Sequence, residues 1–485
     1  MRRIYKILFC IALAGFQGCS FLEVEKFGKS DIETFFSDVD GLRSGLAGSY
    51  RLLYNFYDGE FSEYPEVAAD MLYLSNSEGV SIADQYNYTS DPAQETGAVG
   101  YIWRDGLEII GNVNNILQYA PDLKEKYPGN AAEIELIRAQ ALYIRALVHL
   151  NLCCCYGQHY TYTPDASHWG VPNLSILPSA NDPVLRASVY DVYNKRIIPD
   201  LEEAIGIFGS TTMDCYHASA TACEALLARV YLYMEQWQKA SDYATTVIAK
   251  VPLTSYENYV NMYVNIETGS EAIFRLNGFR ASKDLWKFYD PVSPIARPAD
   301  TLYTFFDQPD DIRLELLYDT KDEVKTKACR KFYVAKDVVE DDKHYDPFVS
   351  RVSEMYLIRA EANCYLPGGE TTAANDIKAL QARALGKQPS EINLVYSSVE
   401  DLLKLVEKER IKELCFEGHR LFDITRKKQN MVRESSTNSI VKIKTYPNDW
   451  FVLPIPMDEI EANPEIQLNP GVNRSEEHTS ELQSP

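Results

Sequence analysis

The 485-residue chain lacks the short motifs that mark many enzyme classes. It holds no G-x-x-x-x-G-K-[ST], H-E-x-x-H, G-x-S-x-G or EF-hand loop, so a phosphate loop, a zinc protease, a serine hydrolase and a calcium loop all go without support. Its 10 cysteines contain no C-x-x-C pair, so neither a zinc site nor a thioredoxin-type motif is indicated. Histidine is scarce, at 7 scattered copies, which leaves little material for a metal centre. Positive charge is also in deficit: 48 Lys+Arg against 70 Asp+Glu give a net charge of -22. Such a surface repels phosphate backbones and argues against nucleic-acid binding. No cofactor and no catalytic residue can be assigned.

The apolar run at 7–16 is too short to cross a bilayer. It follows Arg2, Arg3 and Lys6 and ends at small residues, the pattern of an export signal. Phe16-Gln17-Gly18-Cys19 resembles a lipobox, departing from the commoner form at Phe16 and Gln17. This reading makes 1–18 a lipoprotein signal peptide, Cys19 the lipidated first residue and 19–30 a tether. Several acyl chains together give stable attachment where a single chain does not.

What the chain has in quantity is tyrosine, 33 copies beside 19 Phe and 5 Trp, and helical periodicity. Leu42, Leu46, Tyr50 and Leu53 predict a helix within 32–57. Another is expected at 103–119, and 131–155 carries two apolar stripes, the mark of a helix buried between neighbours. Arg138 and Arg145 on it are expected to reach buried carboxylates. After a Tyr-rich loop, a helix is expected at 189–208. The pairs 218–234 with 237–250 and 353–365 with 371–385 resemble tetratricopeptide units, with small residues where the helices meet. They are far apart in sequence, so any solenoid must assemble across the intervening 251–349. That stretch and 58–100 show no sustained period and read as long functional loops.

From Val406 the chain reads VEKERIKELCFEGHRLFDITRKK, an amphipathic helix by the spacing of Ile411, Leu414, Cys415, Gly418 and Phe422. Pro454, Pro456, Pro464 and Pro470 then exclude helix from the segment that follows, which is expected to pack back on the body. The pattern E-R-x-x-E-L-x-F-E-G-H-R-x-x-D, then L-P-I-P-x-x-E-x-x-x-N-P and Q-x-N-P-G, resembles the signature of the SusD/RagB family. The E-x-Y-L-x-R-A-E-A block at 354–362 and the Arg145 helix resemble further blocks of that family in the same order. The resemblance implies an all-α fold with small irregular β elements: a SusD-like α-α superhelix containing tetratricopeptide-like helix pairs, with long loop insertions. It divides the chain into an N-terminal part (31–250), a loop-rich insertion (251–349) and a C-terminal part (350–473). The stretch 474–485, RSEEHTSELQSP, has no counterpart in the family and reads as a translated sequencing adapter, a non-native tail.

The resemblance also implies function. It describes a lipid-anchored outer-membrane protein at the cell surface that binds glycan and delivers it to a partner SusC-like TonB-dependent transporter, without chemistry. The alternatives are a peptide- or glycoprotein-binding member of the family, a pure interaction scaffold, and a glycoside hydrolase or peptidase. In such proteins loop aromatics stack on sugar faces while amides and carboxylates hold hydroxyls. The two long loops offer Tyr73, Asn76, Tyr86, Tyr88, Trp286 and Tyr289 as candidates, each with the competing role of a loop anchor. Glu409, Glu413 and Glu417 recur every four residues, and unpaired like charges at that spacing cost roughly a few tenths of a kcal/mol each. A structural ion-pair network is favoured over catalysis, with Arg410, Lys412, Arg420, Arg359 and Arg145 as its cations. His419 is expected to pair with Asp423 and not to bind metal.

Overall fold

A computed structural model describes residues 31–472 except 76–80, 94–96, 176–182, 266–270, 280, 283, 291–292, 322–323 and 334–343. The signal peptide, Cys19, the tether, Asn76 and the 474–485 tail therefore lie outside the described residues. The principal helices are α1 (Val39–Tyr57), α2 (Glu60–Val67), α3 (Ala98–Lys126), α4 (Ala131–Tyr156), α5 (Ile198–Phe208), α6 (Ala220–Tyr233) and α7 (Trp237–Ile248). Beyond the insertion follow α8 (Val352–Tyr365), α9 (Glu370–Leu385), α10 (Val399–Leu414) and α11 (Arg420–Arg426).

Helix α4 is the spine. From Ala139 to Cys153 every one of its residues is buried, as two apolar stripes require. Its Arg145 donates to both carboxylate oxygens of Asp200 on α5, at 2.7 and 2.8 Å, whereas Arg138 finds Glu203 at the surface. Neighbours then stack in sequence: α1 on α3, α3 on α4, α4 on α5, α5 on α6 and α6 on α7. Buried Ala222, Ala225 and Ala228 let α6 approach closely, and Ser219 caps it by accepting from the Ala222 amide.

The stack does continue across the insertion. Helix α7 packs directly on α8, and α8 on α9 and α10. Trp237 and Tyr365 stack at 4.1 Å across that seam, and Asn363 donates to Ser241 at 2.9 Å. Closure is possible because the insertion's two ends pair as strands.

Ten short strands form five antiparallel ribbons among the described residues. In chain order they are β1 (Leu72–Leu74), β2 (Trp169–Pro172), β3 (Arg186–Ser188), β4 (Ala272–Arg275), β5 (Ala296–Pro298), β6 (Tyr318–Lys321), β7 (Val324–Lys327), β8 (Phe348–Arg351), β9 (Met431–Val432) and β10 (Ile443–Lys444). Ribbon β4–β8, with Ala272 opposite Arg351, ties the ends of the insertion together beside α8.

Three expectations change. The 58–100 stretch is not all loop: it contains α2, whose Phe61, Tyr64 and Val67 are buried but whose eight residues and internal Pro65 are too little for a sequence period. The 32–57 helix breaks after Phe35 and restarts at Val39, where Asp38 caps it by accepting from the Gly41 amide. The signature helix is two helices. Cys415 to His419 separate α10 from α11, with Phe416 at φ 64° and Gly418 at φ 80°. Gly418 takes this left-handed conformation without steric cost. Glu66 of α2 fixes the break by accepting from the amides of Gly418 and His419 at 2.9 and 3.2 Å.

The proline-rich end seals α4. Leu453 donates its amide to the Cys155 carbonyl at 2.8 Å, and Asn469 donates its side-chain amide to the Tyr156 carbonyl at 2.8 Å. Those carbonyls belong to the last turn of α4, which leaves orphan acceptors in need of partners.

Candidate functional site

Two regions compete as the functional centre: the signature glutamates and the loop aromatics. The glutamates lie inside the protein. Glu413 accepts from Arg351 at 2.7 Å, Arg383 at 2.6 Å and Arg313 at 3.0 Å. Arg313 continues to Glu409 at 2.5 Å, and Arg351 to Glu417 at 2.8 Å and Glu271 at 2.6 Å. Lys331 ends on Glu417 and Lys412 on Glu409.

Burial pushes these carboxyls up, but the surrounding cations more than offset it. Glu409 and Glu417 are held down at about 2, and Glu413 well below its ordinary value by Arg383, Arg351 and Arg313. A glycosidase acid needs the opposite, a carboxyl raised toward neutrality. This cluster is a structural ion-pair network.

Most of its cations come from elsewhere than the residues suggest. Arg313, Lys331 and Arg351 arrive from the insertion and its closing strand, and Arg383 from α9, whereas Arg359 pairs with Asp376 and Arg145 with Asp200. Arg410 and Arg426 take Asp423 at 2.7 and 2.8 Å, so Asp423 is already committed as an acceptor and is not reserved for His419. Burial depresses His419 to about 4, so its ring is neutral. Burial raises several carboxyls elsewhere, namely Asp58, Glu60, Asp376 and, well above its ordinary value, Glu63. It also lifts Glu66 to about 7, although three backbone amides oppose that shift. Glu66 is sealed in the core and occupied with the α10–α11 break.

The loop aromatics divide. Tyr86 is fully buried, its hydroxyl shared with Thr437 at 2.6 Å and its ring covered by Arg433 at 4.4 Å. Tyr88 is buried, donates to the Ala68 carbonyl and meets Phe451 edge-on. Tyr289 is buried, stacked on Phe332 at 5.5 Å with Phe416 at its edge. All three act as anchors, because neighbouring side chains already cover their faces. Asn76 lies outside the described residues.

Tyr73 and Trp286 remain half-buried. Strand β1 carries Tyr73 between buried Leu72 and Leu74, so strand alternation turns it away from the core. In the β1–β5 ribbon Tyr73 lies opposite Arg297, whose guanidinium sits 4.5 Å from the tyrosine ring centre. The Arg297 Nε has no hydrogen-bond partner among the described residues. Sequence reasoning missed Arg297, since only the ribbon register sets it against Tyr73. The ribbon is held from behind by Asn438, which donates to the Leu74 carbonyl at 2.6 Å, and extended by the Ser75 amide on the Ile295 carbonyl at 2.7 Å. Trp286 sits on the short helix Asp284–Phe288, its amide donating to the Tyr345 hydroxyl at 3.3 Å. No ring contact joins Trp286 to Tyr73 among the described residues; both stand on the loops predicted to carry ligand.

Comparison with known proteins agrees with this architecture. Residues 319–471 match the model of the SusD family, and residues 20–232 match a family described as starch-binding, associating with the outer membrane. The chain belongs to the SusD/RagB family. It is 23% identical to SusD-like protein P2 of Formosa agariphila, over 96% of this chain and 99% of that protein. A SusD superfamily protein of Bacteroides thetaiotaomicron superposes with a TM-score of 0.78 at 24% identity, covering 89% of this chain and all of that one. A SusD-like carbohydrate binding protein of Bacteroides vulgatus gives 0.73 at 21% identity, covering 88% of this chain and 97% of that one. At these identities the structural likenesses speak for the fold, and the break between α10 and α11 falls within the residues matched to the SusD family model.

Proposed function

We propose that the mature protein, lipid-anchored through Cys19 on the outer face of the outer membrane, captures an oligosaccharide or polysaccharide. It passes the glycan to a SusC-like TonB-dependent transporter and performs no chemistry on it. The observation that carries this reading is the Tyr73–Arg297 pair. Half-buried Tyr73 has the Arg297 guanidinium over one face of its ring, and that guanidinium, whose Nε has no acceptor among the described residues, stands with it on a ribbon that joins the two long loops. Aromatic faces stack on sugar C–H surfaces, and an arginine fork donates to hydroxyl or ring oxygens. Trp286, half-buried on the second long loop, is proposed as a further ligand residue.

Family membership and the carbohydrate-binding Bacteroides vulgatus neighbour support the ligand class. The committed state of the signature carboxylates supports binding without catalysis. The test is incubation of purified mature protein with a polysaccharide panel, followed by affinity electrophoresis and a reducing-end assay. Retardation by at least one glycan with no new reducing ends is expected. Released sugar would move the protein to the hydrolases, and retention of peptides alone would change the cargo.

A further inference from the structure

We infer that a cleft between the β6–β7 hairpin and the Ile312–Leu316 turn is a second binding site, taking a short neutral oligosaccharide. The inference rests on the proposed glycan-binding function, but the cleft is built from other elements than the β1–β5 ribbon. It encloses about 700 Å³ and is lined by Tyr256, Asp310, Glu315, Tyr318, Lys325 and Arg330 among others. That volume lies within the ~300–1,000 Å³ common for small-ligand sites.

Its charged side chains form no ion pair with one another, although Lys325 lies 5.6 Å from the Tyr318 ring centre and Arg330 lies 4.9 Å from that of Tyr333. Asp310, Glu315, Lys325 and Arg330 enter no ion pair among the described residues, although paired charges fill the interior nearby. The Arg330 Nε is buried with no hydrogen-bond partner, and its Nη1 reaches only the Glu315 carbonyl at 3.4 Å. A cleft of similar size between α3 and α4 shows the contrast. Its cations Lys124, Arg138 and Arg145 are bonded to Glu135, Glu203 and Asp200, and its lining holds no aromatic ring.

The chemistry of the lining selects the ligand. Asp311 is taken up by Arg313 at 2.6 Å, leaving two carboxylates and two cations facing the cleft. Such a balance disfavours a polyanion and suits hydroxyl groups, which donate to carboxylates and accept from Lys and Arg. Half-buried Tyr256 supplies a ring face on which pyranose C–H surfaces stack, and half-buried Tyr318, packed against Tyr303 at 4.9 Å with Lys325 5.6 Å from its ring centre, supplies what those neighbours leave uncovered.

The frame is also preorganised. Ile312 and Leu316 sit in a small core with Tyr259, Met262 and Tyr263, and Arg313 between them is locked to Glu409 and Glu413. A wall that does not reorder on binding saves the entropy of ordering it.

Calorimetric titration of the mature protein with maltohexaose, laminarihexaose and xylohexaose tests the assignment. Two variants are compared with the wild type: Tyr256→Ala/Tyr318→Ala, and Asp310→Asn/Glu315→Gln, which changes only exposed groups and should leave the thermal melt unmoved. The expected result is two binding components for the responding hexaose, one of them weakened at least tenfold in both variants. Tyr73→Ala/Arg297→Ala should weaken the other component and spare this one. Wild-type binding of the hexaose by both cleft variants, with loss only in the ribbon variant, would overturn the second site and leave the proposed function standing. If neither the hexaoses nor their parent polysaccharides bind the wild type, the glycan reading itself fails and the cleft assignment falls with it.

Discussion

Glu413 accepts from three guanidinium groups in the core, and a neutral side chain there leaves those cations facing one another. Glu413→Gln should lower stability by about 3–5 kcal/mol, the usual cost of stripping one partner from a buried ion cluster, as read from chemical denaturation. The same network sets an acid limit. Glu409 and Glu417 fall from an ordinary 4.5 to about 2 in the fold, so their contribution is complete above pH 4.5 and drains away as pH falls toward 2. Glu66 has the opposite sign, since its folded value of about 7 favours the native state as pH drops from 7 toward 4.5. Three neutral histidines oppose it, since buried His149 and half-buried His159 at about 3 and buried His419 at about 4 lie far below the ordinary 6.5 and cost stability as pH falls through 6.5. A melting curve taken against pH should therefore fall from about pH 6.5 and more steeply below pH 4.5, and Glu66→Gln should steepen the part between pH 7 and 4.5. The four-residue spacing of the glutamates made an ion-pair network legible in the sequence. Its partners were not, because Arg313, Arg351 and Arg383 lie 100, 62 and 30 residues from Glu413. Likewise Tyr86, Tyr88 and Tyr289 looked like ligand rings, and nothing local reveals that Arg433, Phe451 and Phe332 cover them.

The helix pairs set the scaffold, and the seam between α7 and α8 decides whether they form one body. Both pairs were visible in the sequence from their alanines and periodic apolar residues. Their adjacency was open until the β4–β8 ribbon was seen to tie the insertion's ends. The stacked Trp237 and Tyr365 should therefore couple the two halves. A double-mutant cycle through Trp237→Ala and Tyr365→Ala is expected to give an interaction of about 0.5–1.5 kcal/mol, typical of aromatic pairs. A coupling indistinguishable from zero would show that the seam is held by its other contacts. The single helix expected through 406–428 failed for a related reason. Helical spacing persists through the break, while Glu66, which holds the break by accepting its amides, is more than 350 residues upstream and invisible to any local pattern.

At the scale of the whole molecule, the helical stack is a rigid support and the loops from 58–100 and 251–349 present the chemistry. The family was legible because its motifs encode interior contacts: the glutamate network, the Gly418 turn and the Asn469 seal over α4. The ligand surface was not, because no fixed motif encodes it and its parts meet through a three-residue ribbon. Affinity electrophoresis of wild type and the Tyr73→Ala/Arg297→Ala/Trp286→Ala variant, in gels containing the polysaccharide that retards the wild type, tests the central claim most directly. The variant is expected to keep its fold by circular dichroism and to migrate with at least tenfold weaker apparent affinity. Retardation equal to the wild type would contradict it.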